Sequence, residues 1–362
     1  MKIGLYDPYL SDVAGGGERH FLMIAECLAT DNQVEIVIPQ KLNTDKLIKS
    51  FEKQFNLDLT RVKVVVGPFD AKNTWRQRRE FTSQYDIFYF MTDGSFFIPG
   101  AKLNVVHFQI PFENRPSFLQ RMKLKAWQIK TSNSDFTKKY LERRWKIKID
   151  HIHRGAINYQ AIKPLSKKKI ILNVGRFISS QAGKHCKRQD FLVKAFKKMC
   201  DQGLKGWNFV LIGPIEKGPD NLSFAEKVHK LAKRYPIKIN HQADFNKLRG
   251  VYGKAKIYWH AAGYGVDENE NPQQVEHFGL TTIEAMAAGA VPIVIEEGGQ
   301  KEIVIHEKNG FFWRTENELI KQTQRVISDE KLRNKLAHSA RKDTARYSKK
   351  EFCKKTRNIF RM

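Results

Sequence analysis

The amino-acid sequence predicts an α/β protein of two doubly wound halves. Three observations carry that expectation. The chain has 362 residues, 41% of them hydrophobic, more than one ordinary core can use. Apolar runs of strand length alternate with helix-period segments almost throughout. Those runs are continuous rather than alternating in polarity, which suits a parallel sheet covered by helices on both faces.

In the first half, Lys2–Tyr6 reads as a strand and Glu18–Leu28 as the helix that follows it. Val34–Ile38, Val62–Val66, Ile87–Met91 and Leu103–Phe108 are short, strongly apolar runs that read as further buried strands. A polar, basic stretch near Gln160–Lys169 interrupts the rhythm, so the linker is placed near residue 165 and the first domain over 1–165. The rhythm restarts with Ile170–Val174 as strand, Lys187–Met199 as helix, Phe209–Ile212 as strand and Phe224–Arg234 as helix. Ile257–His260 and Val291–Ile295 are the next strands of a second domain over 166–340. Residues 341–362 form a terminal segment whose last short basic helix opens on Ser348-Lys-Lys-Glu351, a capping-box pattern.

Charge narrows the partners. The chain carries 64 Lys and Arg against 38 Asp and Glu, and Arg115 to Arg154 alone holds 12 basic and 3 acidic side chains. Such a surface attracts polyanions: nucleic acid, anionic lipid heads or phosphorylated small molecules. A solvated, lysine-rich surface with no partner accounts for the same numbers. No recognition motif with interleaved aromatics is present, so nucleic acid is not expected as a partner. Cys27, Cys186, Cys200 and Cys353 lie far apart with no CxxC pair. They are expected to stay reduced as small buried hydrophobes, in a reducing compartment. The N-terminal MKIGLYDPYL reaches Asp7 and Pro8 before a signal-peptide core can form, and no run of 18 apolar residues follows. The expected location is therefore cytoplasmic.

Doubly wound sheets bind ligands beyond the carboxyl ends of their strands, at the βα turns. The first such turn carries Gly15-Gly16-Gly17 at a helix entrance, where bare backbone can approach a ligand and offer free N–H groups. The spacing is not GxGxxG and no acidic residue ends the second strand, so a nicotinamide cofactor is not expected. An unliganded flexible turn remains open. His107 ends the strand LNVVHF, in a position facing ligands, with a structural hydrogen-bonding role as the alternative. In ILNVGRFISSQAGKHCKRQDFLVKAF, Arg176 follows the strand and Lys187 opens the helix, a cation pair suited to a diphosphate. Lys184 and Arg188 compete for that role.

The stretch EHFGLTTIEAMAAG sets Glu276 and Glu284 eight positions apart. Thr281-Thr282-Ile283-Glu284 fits a capping box, which explains Glu284 alone. Glu276 lies outside that pattern. The pair makes more sense as two acceptors for neutral hydroxyls, with amides around Phe278, Gly279, Leu280 and Thr281 holding phosphate. A ligand with a sugar on each side of a diphosphate, a nucleotide sugar, needs all of these together.

These segments, in this order and spacing, closely resemble the retaining glycosyltransferases of family 4: AGGGERH, HFQIP, SNSDFTKKYL, VGRF, KRQDFLVKAF, YWHAAGYG, EHFGLTTIE as E-x7-E, AMAAGAVPIV and GGQKEIV. The resemblance covers nearly the whole chain. It implies the GT-B fold, two Rossmann-like domains facing a cleft, with the terminal segment crossing back to brace the first. It implies that Glu284 holds the donor ribose and Glu276 a hydroxyl of the transferred sugar. Arg176, Lys187 and the amides of Phe278 to Thr281 would bind the diphosphate. Gly16 and Gly17 would line the cleft from the other domain, His107 would sit near the reacting carbon or acceptor, and His260 would stand behind these groups. Two departures qualify the match. Extra residues, ISSQAGKHC, precede Lys187, so either Lys184 or Lys187 meets the phosphate, and the loop GYGVDENENPQQV before Glu276 is long and acidic.

The reaction so implied is metal-independent hexosyl transfer from a nucleotide sugar, with retention at the anomeric carbon. The favoured donor is a UDP-sugar, with a GDP-sugar second, and the acceptor is a hydroxyl of a glycan or lipid-linked glycan in surface polysaccharide or glycoconjugate synthesis. Retaining glycosidases use two carboxylates, one of them nucleophilic. Here both glutamates have better uses as hydroxyl acceptors, so front-face attack assisted by the leaving diphosphate is expected. The cations and helix amides then stabilise the growing charge. No DxD pair occurs, so no metal is expected and no cofactor is invoked. The basic stretch Arg115–Arg154, with Phe118, Leu119, Met122, Leu124, Trp127 and Ile129, is expected to lean on an anionic membrane, core packing of those residues being the alternative. Two rival readings stay open: a nucleotide-sugar epimerase of the same architecture, and a basic nucleic-acid-binding protein.

Overall fold

The computed structural model describes residues 1–8, 10, 15–39, 44–180 and 186–362. The chain forms two compact units, Met1–Ala156 together with Lys349–Met362, and Ile157–Ser348.

The first unit contains β1 (Lys2–Tyr6), α1 (Gly16–Leu28), β2 (Gln33–Ile38), α2 (Thr44–Phe55), β3 (Val62–Val66), α3 (Trp75–Ser83) and β4 (Ile87–Met91). It continues with β5 (Leu103–Phe108), α4 (Phe118–Leu124), β6 (Ile129–Ser132), α5 (Asp135–Trp145) and β7 (His151–Ile152). The strands run parallel in the order β3-β2-β1-β4-β5-β6-β7. Every residue of β4, IFYFM, is buried, as the continuous apolar run requires of a strand covered on both faces. The order reverses between β1 and β4, which opens the crevice where such sheets bind ligands.

The second unit contains β8 (Lys168–Val174), α6 (Gln189–Asp201), β9 (Asn208–Ile212), α7 (Pro219–Ala232), β10 (Ile237–Asn240), α8 (Phe245–Lys254) and β11 (Ala255–His260). After these come α9 (Leu280–Ala287), β12 (Val291–Ile295), α10 (Gln300–Ile303), β13 (Phe311–Trp313), α11 (Glu316–Ser328) and α12 (Glu330–Asp343). Its parallel order is β10-β9-β8-β11-β12-β13, reversing between β8 and β11. Helix α6 starts at Gln189, two residues later than the sequence suggests, because Arg188 takes a left-handed conformation (φ 52°) that a helix interior does not admit.

The chain enters the second unit at Ile157, upstream of the polar stretch. Ile157 and Ile162 are buried in that unit's core with Tyr347, and the Ile157 amide donates to Tyr347 O at 2.9 Å. Lys167 is also built in rather than solvated. Its Nζ donates to Ala255 O at 2.7 Å and Ala288 O at 2.6 Å, and burial pushes the amine down to about 7. A charged side chain in a polar stretch thus turns out to tie the ends of two helices.

The last helix, α13 (Lys349–Ile359), belongs to the first unit, where Phe352, Ile359 and Phe360 join the core of α1 and β1. Cys353 on α13 forms a disulfide with Cys27 on α1. This corrects the expectation of four reduced cysteines. The two are 326 positions apart in sequence, so nothing local signals that their helices meet. Cys186 and Cys200 are free. In the basic segment Leu124, Trp127 and Ile129 are core residues, whereas Phe118, Leu119 and Met122 are 81%, 63% and 48% exposed. Among the described residues no helix is long and apolar enough to cross a membrane.

Candidate functional site

In the second unit the candidate residues gather beyond the carboxyl ends of β8 and β11, at the reversal of strand order. Gly175 follows β8 without a side chain, and a Cβ there would lie 2.8 Å from Lys187 Cγ. The lysine stem therefore crosses directly over the backbone. Its Nζ donates to Glu276 Oε2 at 2.5 Å, and both side chains are largely shielded from solvent. His260, the last residue of β11, places Nε2 3.1 Å from the same carboxylate oxygen. Burial lowers the His260 pKa against the opposing pull of Glu276, so the ring is neutral and donates through Nε2–H.

The backbone around Glu276 is fixed from behind by the turn after β12. The Gly299 amide donates to Glu276 O at 2.7 Å. A Cβ on Gly298 would fall 2.2 Å from that same oxygen, and one on Gly299 would meet His277 O at 2.4 Å. GGQKEIV is thus a packing motif for the site, a role that the sequence marks only by its paired glycines. The acidic loop before Glu276 is anchored to the same turn. Glu268 accepts from the Gly298 amide at 2.7 Å and pairs with Lys301.

Helix α9 begins at Leu280, after Gly279 in the left-handed region (φ 112°). Thr281 is therefore the second helical residue, and the expected Thr281–Glu284 capping box is corrected: the N-cap is Gly279, which has no side chain to cap with. The amides of Leu280 and Thr281 have no acceptor among the described residues, which is the ordinary state of a helix entrance and suits an anion. Thr281 Oγ1 instead accepts from Tyr258 at 2.8 Å. Glu284, one turn further in, is buried and accepts from Tyr252 Oη at 3.0 Å. Neither tyrosine carried a sequence signal beyond strand or helix periodicity.

Arg176 follows β8 as expected, with Nη1 2.9 Å from Glu216 Oε2 in the β9–α7 turn. Arg188, a competing cation, is turned away to the Tyr264 carbonyl. Lys184 lies outside the described residues. Phe278 is buried and packs on Tyr347.

In the first unit, Gly16 and Gly17 open α1, with Gly15 as N-cap and the Glu18 carboxylate accepting from the Gly15 amide at 2.8 Å. His107 ends β5 but is fully buried rather than facing out. Its Nδ1 lies 2.8 Å from Thr131 Oγ1 and its Nε2 2.9 Å from Gln109 Oε1. Burial takes its pKa down to about 4. The ring stacks on His20 at 4.5 Å, and His153 stands edge-on to His20 at 4.8 Å. Burial likewise holds His20 and His153 well below the usual range. Neither of these two histidines carries a signal of its own in the sequence, because α1 and the segment after β6 meet β5 only in three dimensions.

Chemically, the second unit offers one carboxylate already engaged by a cation and an imidazole N–H, a second buried carboxylate, and free helix amides between them. That set accepts hydroxyls at two points and an anion at one.

Comparison with known proteins bears on family and fold. An uncharacterized glycosyltransferase of Methanocaldococcus jannaschii is 27% identical over 223 residues, covering 60% of this chain. The match spans 51% of that relative, so the chain aligns with about half of its length. Among solved structures, a glycosyltransferase from Rickettsia africae superposes with a TM-score of 0.76 at 18% identity, covering 99% of this chain and 98% of its own. HepE of Anabaena, solved with UDP and glucose, gives 0.73 at 15% identity, covering 100% and 99%. At those identities the likeness is one of fold: two Rossmann-like parallel-sheet units, as in GT-B glycosyltransferase structures. The family model "Glycosyl transferases group 1" matches residues 157–343, the whole span from the start of the second unit through α12 that contains both glutamates, and the chain belongs to that family.

Proposed function

We propose that this protein transfers a sugar from a nucleotide-diphosphate sugar to a hydroxyl of a glycan or lipid-linked acceptor, as a retaining, family 4 hexosyltransferase. The observation that carries this reading is the Lys187–Glu276 pair at the entrance of α9, with Glu284 buried one turn further in. Donor diphosphate would draw Lys187 and the amides of Leu280 and Thr281. The transferred sugar would take Glu276, and the ribose Glu284. His260, donating to Glu276, keeps that carboxylate aimed. Arg176 is the second cation, held by Glu216 until an anion competes. In the same reading the end of β5 serves the acceptor.

The two glutamates differ in surroundings but neither is placed as a nucleophile: one is paired with a lysine, the other hydrogen-bonded within a helix. Front-face attack is the mechanism that fits, with the leaving diphosphate receiving the acceptor proton. Charge grows on the diphosphate as the bond breaks, and fixed cations and amides stabilise it most at that point. Transfer is proposed to need no metal. A panel of UDP-, GDP- and ADP-sugars tests the reading, scored for binding and for slow donor hydrolysis. A UDP-sugar is expected to bind and hydrolyse. Binding of none of them would overturn the reading, as would activity lost in chelator and restored by magnesium or manganese for its metal-independent part.

The same proposal extends to an anionic membrane as a peripheral partner. Phe118, Leu119 and Met122 project from α4 among Arg115, Arg121 and Lys125, all exposed, so an apolar ridge is ringed by cations. Ridge residues can enter the acyl boundary while each nearby cation contributes about 1 kcal/mol at the headgroups. Co-sedimentation with phosphatidylglycerol vesicles at physiological salt, lost in Phe118→Ser/Leu119→Ser, is the expected result. Failure of the wild-type protein to co-sediment overturns this part.

A further inference from the structure

The turn after β5 assigns the acceptor-facing chemistry to a residue other than the histidine. Backbone bonds hold residues 107–109 from both sides: the Thr92 amide donates to His107 O at 3.0 Å, the Asn133 amide to Phe108 O at 3.2 Å, and Asn133 Nδ2 to Gln109 O at 2.8 Å. His107 lies fully buried beneath this turn, while Gln109 is partly exposed. The neutral ring carries one N–H. With the Gln109 oxygen facing Nε2, that nitrogen donates at 2.9 Å, and Nδ1 accepts from the Thr131 hydroxyl at 2.8 Å, a shorter contact than that hydroxyl's other one, to Val106 O at 3.3 Å. The chain of bonds therefore runs Thr131 to His107 to Gln109 and ends on a carboxamide whose oxygen is used.

Two features leave the other end of that carboxamide available. Gly17 carries no side chain where a Cβ would stand 3.6 Å from Gln109 Cγ, so the glutamine lies along the open entrance of α1. Gln109 Nε2 has no hydrogen-bond partner among the described residues. Both lie at the carboxyl ends of β1 and β5, bordering the crevice where the strand order reverses.

We infer that Gln109 is the residue of the first unit that donates a hydrogen bond to a sugar hydroxyl on the acceptor side, and that His107 is its positioning residue. Two neutral amide hydrogens suit a hydroxyl oxygen better than they suit an anion, which the cations of the second unit take. His20, stacked on His107 with neither ring nitrogen partnered among the described residues, fixes the imidazole by its face and leaves its edges to Thr131 and Gln109. This inference rests on the glycosyl-transfer reading.

The test compares wild type with Gln109→Ala, Gln109→Glu, His107→Phe and the double variant, on the full chain with whichever donor the panel identifies. Gln109→Glu keeps an oxygen for His107 but has no amide hydrogen to give. Both Gln109 variants should lose about 10- to 100-fold in kcat/KM for the acceptor. Nucleotide-diphosphate affinity should be unchanged and the thermal midpoint within about 2 °C. His107→Phe should lose as much, and should add little further loss in the Gln109→Ala background, because the two act as one unit. Wild-type acceptor kinetics in both Gln109 variants overturn the inference, and additive losses overturn the positioning role of His107. A wild-type protein that transfers no sugar from any donor fails the reading of function itself, and this inference with it.

Discussion

The two units use one topology to build opposite strand ends. Both are parallel sheets whose order reverses beside the first strand, and both put histidine at the end of a strand near that reversal. In the second unit His260 and Lys187 both meet the Glu276 carboxylate, beside the free amides of the α9 entrance. In the first, His107 meets the neutral Thr131 and Gln109 and two further histidines, and burial lowers the pKa of all three rings. In the proposed reading, the same fold position would serve an anion in the second unit and neutral hydroxyls in the first. What differs is the dielectric and the partners supplied by elements outside the sheet.

The strongest way to break this comparison is to remove charge from the second unit. Glu276→Gln leaves the shape but gives Lys187 no counter-charge. Turnover is expected to fall about 10²–10³-fold, measured as initial transfer rate with saturating donor. A loss under fivefold would mean that the charged cluster is a structural ion pair only.

Next in size is the staple that holds the first unit together. Reduction, or Cys353→Ser, releases α13 from α1 and should lower stability by about 2–4 kcal/mol, read as a shift in the thermal midpoint. An unchanged midpoint would show that α13 is held by Phe352, Ile359 and Phe360 alone.

A smaller effect sharpens the picture of the turn beneath Glu276. Burial, then the hydrogen bond and charge of Glu268, raise the Glu297 pKa from 4.5 to about 7. A raised acid contributes stability that is fully present below its unfolded value and lost as pH rises through the folded one. Stability relative to Glu297→Gln should therefore decline between about pH 5 and pH 8. Parallel pH curves for the two proteins would contradict the assignment.

Much of this was legible in the sequence because it is local. Strands such as Ile87–Met91 and Val291–Ile295 announce themselves by continuous apolar runs, and both sheets bury them on two faces, whereas Val62–Val66, expected to be buried, is an edge strand with Val66 exposed. Glu276, Lys187 and Arg176 were legible because charged residues at βα turns have few structural uses. The capping box was not, since Gly279 starts the helix earlier than a side-chain cap would. Nor were the disulfide, the buried Lys167, or the histidine stack, each of which joins segments that lie apart in sequence. His107 shows the limit most clearly: its place at a strand end was readable, but its burial depends on α1 and α13, and only the fold brings Gln109 to the surface in its stead.

The central claim is that the two glutamates read two different parts of one nucleotide sugar. Calorimetric titration of UDP into wild type, Glu276→Ala and Glu284→Ala tests it directly. Affinity should survive largely intact in Glu276→Ala and fall at least tenfold in Glu284→Ala, which loses the ribose acceptor. Equal affinity in all three proteins, with Glu284→Ala merely less stable, would contradict the account and leave Glu284 a buried structural carboxylate.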